Sequence, residues 1–218
     1  MKFFLDTANL DQIRQGAELG ILDGVTTNPS LMAKEGIAGE SAIRQHYLDI
    51  CNIVDGDISA EVLSEEYAAM VAEGRSLAAI HPNVVVKVPC TRDGIRVVKT
   101  LADEGIRTNC TLIFSLGQAV MAAKAGAAYV SPFVGRLDDI GADGIELVEQ
   151  MVDAFDLYDF DCEVLAASLR NTRHIVKCME VGAHAVTCPL PAILGILKHP
   201  LTDKGLEQFM TDSAKMKK

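Results

Sequence analysis

The sequence lacks the features that mark membrane proteins, disulfide-rich proteins and common metal sites. Its apolar runs reach only about six residues, whereas a membrane-spanning helix needs roughly 18. An acid at Asp6 comes too early for a signal peptide. The six cysteines form no CxxC pair, and the five histidines form no HExxH or other close pairing. We therefore expect a soluble, intracellular and cytoplasmic protein with buried thiols and without a metal ion.

Positive charge is also scarce. The 218 residues carry 20 Lys and Arg against 30 Asp and Glu, a formal net charge of -10, and 49% of them are hydrophobic. A repulsive overall field argues against a nucleic-acid partner, and the apolar content is enough for a sizeable core. An anionic substrate would have to be bound by a few well-placed cations.

Short β-prone runs alternate with longer stretches of helical periodicity. A run recurs about every 26 residues, which is the length of a strand, a loop and a helix. One helical stretch follows Arg92-Asp93-Gly94, which is interpreted as a turn. The runs start near Phe3, Ile21, Ile58, Val84, Cys110, Ala128, Glu163 and Ala183.

Glycines repeatedly separate a helical stretch from the strand that follows it, at Gly20, Gly105, Gly126 and Gly182. Glycine ends a helix at low cost because it adopts positive φ without a side-chain clash. Eight such units in a chain without a linker predict a single α/β domain over residues 1–218, a (β/α)8 TIM barrel. An open doubly wound sheet is the alternative, disfavoured because no GxGxxG follows the first strand.

The chain after Cys188 is longer than one barrel helix requires. His199-Pro200 should break it, leaving an additional C-terminal helix over residues 202–218 in which Leu206, Phe209 and Met210 share a face. This helix either folds back across its own barrel or contacts a neighbouring subunit.

Lys87 is the most conspicuous polar residue, because it follows three valines in a run predicted to be a central strand. Burial disfavours the charged form of an amine, and a neutral amine attacks carbonyls to form a Schiff base. Asp6 and Glu61 end two other strands and could move the protons that imine chemistry requires. Alternatively, Lys87 reaches solvent or pairs with a carboxylate, and the two acids are caps or counter-charges.

Further polar residues follow the later strands. An amide and hydroxyls facing the barrel mouth suit a polyhydroxylated substrate, and arginines after strands 6 and 7 suit a phosphate group. Alternatively, each of these residues forms hydrogen bonds with loop backbone groups or takes part in a surface salt bridge. The residues are Asn109, Thr111, Ser131, Phe133, Arg136, Ser168 and Arg170.

Three sequence segments, TTNPS at 26–30, VVKVP at 85–89 and SPFVGR at 131–136, are a specific set. Together with LDTAN at 5–9 they resemble the short bacterial and archaeal-type members of the transaldolase family, over nearly the whole chain. The resemblance implies a (β/α)8 barrel, a lysine imine at Lys87 and an acid/base aspartate at Asp6. It further implies that Glu61 and Thr111 manage a catalytic water. It places substrate contacts at Thr26, Asn28, Asn109, Ser131, Phe133, Arg136, Ser168 and Arg170.

The implied reaction transfers a dihydroxyacetone unit from sedoheptulose 7-phosphate or fructose 6-phosphate to an aldose phosphate, without a metal or organic cofactor. The resemblance also implies a homo-oligomer, a pentamer or decamer whose terminal helix reaches a neighbour. One alternative is fructose 6-phosphate aldolase, a branch that resembles this chain but has Gln at the position of Glu61 and Tyr at that of Phe133. Another is a non-catalytic sugar-phosphate-binding barrel, against which Lys87, Asp6 and Glu61 all argue.

Overall fold

Eight parallel strands close into a barrel in the order β1 to β8, as a computed structural model that describes residues 1–216 shows. Each strand pairs with its neighbours in sequence, and β8 pairs with β1. This is the predicted (β/α)8 TIM barrel. The strands are β1 Lys2–Asp6, β2 Gly24–Thr26, β3 Asp57–Glu61, β4 Val84–Pro89, β5 Thr108–Ile113, β6 Tyr129–Pro132, β7 Glu163–Ala166 and β8 Ala185–Cys188.

Helices connect the strands around the outside of the barrel. Two connections carry two helices each, those between β2 and β3 and between β6 and β7. The helices are α1 Leu10–Glu18, α2 Pro29–Lys34, α3 Glu40–Ile53, α4 Tyr67–Ala78, α5 Arg92–Asp103, α6 Leu116–Lys124, α7 Val134–Asp138, α8 Gly144–Tyr158, α9 Thr172–Glu180, α10 Leu190–Ile196 and α11 Pro200–Met216.

Two predicted element boundaries are wrong. The second strand begins at Gly24 instead of near Ile21, whose side chain is exposed. Asp23 is hydrogen-bonded to Phe3 through both its backbone N–H and its carboxylate, which holds the loop to the start of β1. Arg92-Asp93-Gly94 is also not a turn, since it forms the first turn of α5. The hydroxyl of Thr91 accepts a hydrogen bond from the Gly94 N–H and caps that helix.

The core has two layers separated by the sheet. The larger apolar cluster lies between the strands and the helices, and includes Val86 and Val88 of β4. A smaller cluster fills the barrel interior and contains Phe4, Val85, Tyr129, Leu165 and Ala185. Because alternate residues of a strand face opposite sides, Val85 and Lys87 point inward. The inner cluster therefore forms an apolar floor below Lys87.

The C-terminal chain forms two helices, as the sequence predicted. The helix α10 ends at Ile196 and α11 begins at Pro200, so the chain turns at the His199-Pro200 pair. No residue of α11 is buried in the single chain, and the last two residues of the predicted segment 202–218 lie outside the described residues. Within residues 1–216, no helix combines the length and apolar content that crossing a bilayer would require.

Candidate active site

A cavity of about 150 Å³ opens at the carboxyl ends of the strands. Most of the residues that the sequence nominated line it, although they come from strands and loops far apart in the chain. Its lining consists of Asp6, Thr26, Asn28, Lys87, Ser131, Phe133, Arg136, Ala167, Ser168 and Thr187. Active sites of (β/α)8 barrels are built at this end.

Lys87 is the only charged side chain among residues 1–216 that is buried, with 5% of its surface exposed. Its Nζ lies 3.1 Å from Glu61 Oε2 and donates a hydrogen bond of 3.1 Å to the Thr27 carbonyl. Glu61 and Lys87 are register partners on β3 and β4, so the strand pairing brings the two charges together. The ion pair that the sequence left as an alternative is present, and it compensates part of the cost of burying the amine.

Asp6 ends β1 and points into the same cavity. The hydroxyl of Thr26, its register partner on β2, donates a 2.8 Å hydrogen bond to Asp6 Oδ1. Burial raises the pKa of the Asp6 carboxyl above its ordinary value, while the charge of Lys87 and the Thr26 hydrogen bond oppose that rise. The raised pKa of Asp6 lies closer to neutral pH, where a group that gives and takes protons is most effective.

A buried chain of polar side chains crosses the barrel beside Lys87. Ser131 Oγ donates a 2.7 Å hydrogen bond to Asn109 Oδ1, and Asn109 Nδ2 donates one of 3.1 Å to Ser59 Oγ. Asn109 is the register partner of Lys87 on β5, and all three side chains of this chain are at most 1% exposed. Their orientation is fixed by these mutual hydrogen bonds.

Arg136 and Ser168 both line the cavity. Helix α7, which carries Arg136, approaches the segment after β7 that carries Ser168, and Gly135 N–H donates a 3.2 Å hydrogen bond to the Ser168 carbonyl. A Cβ on Gly135 would lie 2.3 Å from that carbonyl, so this approach requires glycine. Arg136 is exposed and forms no salt bridge with any residue from 1 to 216.

Four of the nominated residues do not line this cavity. Asn109 contacts the lining through Ser131, and Glu61 does so through Lys87. Thr111 is fully buried, and its hydroxyl has no hydrogen-bond partner among the described residues. Arg170 is exposed and forms a two-pronged salt bridge with Asp139, which is the surface pairing that the sequence left open.

Sequence reasoning did not single out Ser59 or Thr187. Both are buried hydroxyls on the inner face of the barrel. A signal for Ser59 existed, because it lies two residues before Glu61 on the same strand and so faces the same side. Thr187 had only a weak signal, since a threonine in an apolar strand is common.

Comparisons with known proteins identify the family to which the whole chain is similar. The family described as transaldolase/fructose-6-phosphate aldolase matches residues 3–218. The chain is 65% identical over 212 residues to a "Probable transaldolase" of Porphyromonas gingivalis, covering 97% of this chain and 96% of the relative. It is 64% identical over 216 residues to a "Probable transaldolase" of Parabacteroides distasonis, covering 99% of each.

Solved structures resemble it more distantly. A putative fructose-1,6-biphosphate aldolase of Coccidioides immitis superposes with a TM-score of 0.59 at 14% identity, over 86% of this chain and 73% of the other. At that identity the likeness concerns the fold alone. From its sequence relatives and the matched family, the chain belongs to the transaldolase/fructose-6-phosphate aldolase family.

Proposed function

We propose that this protein is a transaldolase that transfers a dihydroxyacetone unit between sugar phosphates through a Schiff base on Lys87. The donors are sedoheptulose 7-phosphate and fructose 6-phosphate, the acceptors glyceraldehyde 3-phosphate and erythrose 4-phosphate. We propose that it acts in the pentose phosphate pathway, in the cytoplasm. The observation that carries the proposal is the buried Lys87 amine, which lies at the cavity wall within 3.1 Å of a carboxylate.

Imine formation begins with Lys87 as a neutral amine. Glu61 Oε2 is the nearest carboxylate oxygen to Nζ and can take the ammonium proton before attack. The amine adds to the C2 ketone of the donor, and loss of water from the carbinolamine leaves an iminium. The positive iminium is the electron sink for the next step, so the proposed chemistry needs no metal or organic cofactor.

Asp6 acts on the substrate hydroxyl. As a carboxylate it takes the proton of the C4 hydroxyl, the C3–C4 bond breaks, and its electron pair moves into the iminium to give an enamine. The aldose phosphate leaves and the three-carbon unit stays on Lys87. An acceptor aldehyde then reverses these steps, with protonated Asp6 returning its proton to the new hydroxyl.

Glu61 and Thr111 are proposed to handle the water that enters and leaves. The Thr111 hydroxyl is buried without a hydrogen-bond partner among residues 1–216, and Glu61 Oε2, although 3.1 Å from Lys87 Nζ, receives no well-aligned hydrogen bond from these residues. Two buried oxygens in this condition suit a shared water molecule. Thr26, Asn28, Asn109, Ser131 and Phe133 are proposed to contact the sugar.

The phosphate is proposed to bind at Arg136, Ser168 and Arg170. Arg136 and Ser168 face the cavity together, and a cation there offsets the repulsion expected from a chain of net charge -10. Arg170 would have to exchange its contact with Asp139 for the phosphate. Such an exchange replaces one bidentate partner by another.

An assay of fructose 6-phosphate with and without erythrose 4-phosphate tests the proposal. A transaldolase forms glyceraldehyde 3-phosphate quickly only when the acceptor is present, because the enamine otherwise stays on Lys87. The family also includes fructose 6-phosphate aldolases. Free dihydroxyacetone released at a similar rate in both mixtures would assign the protein to that activity, and no turnover in either would point to the non-catalytic sugar-phosphate-binding barrel.

We further propose that the protein is a homo-oligomer, a pentamer or decamer in which α11 packs on a neighbouring subunit. The helix is exposed along its length, including Leu201, Leu206, Phe209 and Met210, each more than half exposed. Exposing such an apolar face to water costs free energy in a monomer, and packing it on a second subunit would remove that cost.

A further inference from the structure

Thr187 on β8 is a cavity residue to which the proposed reaction gives no role. Its side chain is 2% exposed, and its Oγ1 lies 2.6 Å from Thr26 Oγ1. Thr26 Oγ1 in turn lies 2.8 Å from Asp6 Oδ1. Three side chains on three adjacent strands, β8, β1 and β2, therefore form one hydrogen-bonded row that ends on the Asp6 carboxylate.

The direction of this row follows from counting protons. A hydroxyl has one hydrogen to donate, and a carboxylate can only accept. When Asp6 is ionised, Thr26 gives its hydrogen to Asp6, so the hydrogen in the Thr26–Thr187 contact must come from Thr187. A hydroxyl that itself receives a hydrogen bond is a stronger donor, because successive bonds polarise one another.

We propose that Thr187 is a positioning residue: by donating to Thr26 it orients and strengthens the hydrogen bond that holds Asp6 ionised. The catalytic consequence rests on the proposed function, since Asp6 is the base of that reaction. The effect on the acid–base behaviour of Asp6 does not, and it can be measured without any substrate.

Other charges also act on Asp6. Lys87 from β4 and Lys34 from α2 favour the carboxylate, while burial opposes it. Cys188 on β8 is nearby, and burial together with the Asp6 charge raises the pKa of its thiol to about 12, so it stays neutral. Replacing Thr187 by valine changes none of these groups and closely conserves the side-chain volume.

The test compares Thr187→Val with Thr187→Ser, which keeps the hydroxyl. Carbon-13 NMR of the Asp6 carboxyl carbon, assigned with Asp6→Asn, follows its titration in substrate-free protein. We expect Thr187→Val to move the midpoint upward by roughly half a pH unit and Thr187→Ser to restore it. In the transaldolase assay, the acid limb of kcat should move with it, and kcat should fall roughly threefold to tenfold with KM nearly unchanged.

A double-mutant cycle with Thr26→Val shows whether Thr187 acts through Thr26. In the Thr26→Val background, Thr187→Val should have no further effect on the Asp6 midpoint. An unchanged midpoint in Thr187→Val, equal shifts in the valine and serine variants, or a full further shift without Thr26 would each overturn the proposal. If circular dichroism shows that Thr187→Val is unfolded, Thr187→Ala removes the same hydroxyl with less steric demand and decides by the same criteria.

These results separate the two proposals. A shifted Asp6 midpoint in a protein without transaldolase activity would sustain the role of Thr187 and refute the proposed function. An active transaldolase with an unshifted midpoint would do the reverse.

Discussion

At the residue scale, opposing effects act on the pKa of the Asp6 carboxyl. Burial penalises its charged form, and this effect exceeds the support from Lys87, Thr26 and Lys34, so its pKa is raised from the ordinary 3.8. The folded state therefore binds a proton to Asp6 over a pH interval in which the unfolded chain has lost it. The stability contributed by Asp6 falls as the pH rises through that interval, and at neutral pH its ionised form is a cost.

Asp6→Asn should accordingly stabilise the fold while removing the proposed base. The amide can still accept the Thr26 hydrogen bond but carries no charge to bury. We expect the Tm to rise by about 2–4 °C at neutral pH, and the gain to shrink as the pH falls through the raised pKa. Calorimetry between pH 4 and 8 measures this, with Asp153→Asn at an exposed position of α8 as the control. A Tm below that of the parent protein at neutral pH would show that burial does not outweigh the interactions that favour the Asp6 carboxylate.

Arg136 is the residue on which proposed phosphate binding depends most. Arg136→Ala should raise KM for phosphorylated sugars by roughly 10-fold to 100-fold, because it removes a charge-assisted contact, and should change kcat little. Steady-state kinetics with fructose 6-phosphate and fructose measure the effect, and Arg173→Ala replaces an exposed arginine of α9 as the control. An equal loss for both sugars would show that Arg136 does not recognise the phosphate.

The sequence identified charged site residues more readily than neutral ones. Lys87 among valines is costly to bury, so its position in the sequence is enough to indicate a special role. Burying a serine or threonine such as Ser59 or Thr187 in a strand costs little free energy, so their positions in the sequence do not indicate a special role. Their positions beside Asn109 and Thr26 follow from strand register, which a barrel sets only when it closes.

At the scale of elements, the junction between β4 and α5 fixes the end of the strand that carries Lys87. A Cβ on Gly94 would lie 1.9 Å from the Pro89 carbonyl, whereas one on Gly117, also in the first turn of a helix, would meet no atom within 4 Å. Gly94→Ala should therefore lower the free energy of unfolding by about 2 kcal/mol or more.

Gly117→Ala should change that free energy in the opposite direction, by up to about 1 kcal/mol, because alanine favours helix. Urea denaturation of both variants measures the difference. Equal effects of the two substitutions would mean that the close approach of Gly94 to Pro89 is not what the junction requires.

Glycine also explains which helix ends the sequence predicted well. The glycines at 20, 105, 126 and 182 all have positive φ, between 70° and 98°, as a residue that ends a helix and starts a connection to a strand requires. Gly94 misled the interpretation because the same residue type is also needed where a helix passes close to a backbone carbonyl. A glycine in the sequence shows that a Cβ is absent, but it does not show which neighbouring atom leaves no room for one.

At the scale of the whole molecule, α11 contributes no buried residue to the structure described for residues 1–216. Phe209 is 72% exposed, and a charge there should prevent the packing proposed for this helix. We expect the parent protein to have the mass of five or ten chains of 23.4 kDa, and Phe209→Asp to dissociate into smaller species. Light scattering measures both, with Gln208→Asp on the same helix as the control. A parent protein that is monomeric, or an unchanged assembly in Phe209→Asp, would contradict this role of α11.

The proposed reaction depends on a covalent bond between Lys87 and the sugar. Borohydride reduction in the presence of fructose 6-phosphate, followed by peptide mass mapping, tests it most directly, with Lys99→Ala as a control that removes an exposed lysine. We expect a reduced adduct on the peptide that contains Lys87 in the parent and in Lys99→Ala, and none in Lys87→Met. An unmodified Lys87 at saturating substrate, or an adduct on another lysine that persists in Lys87→Met, would contradict it.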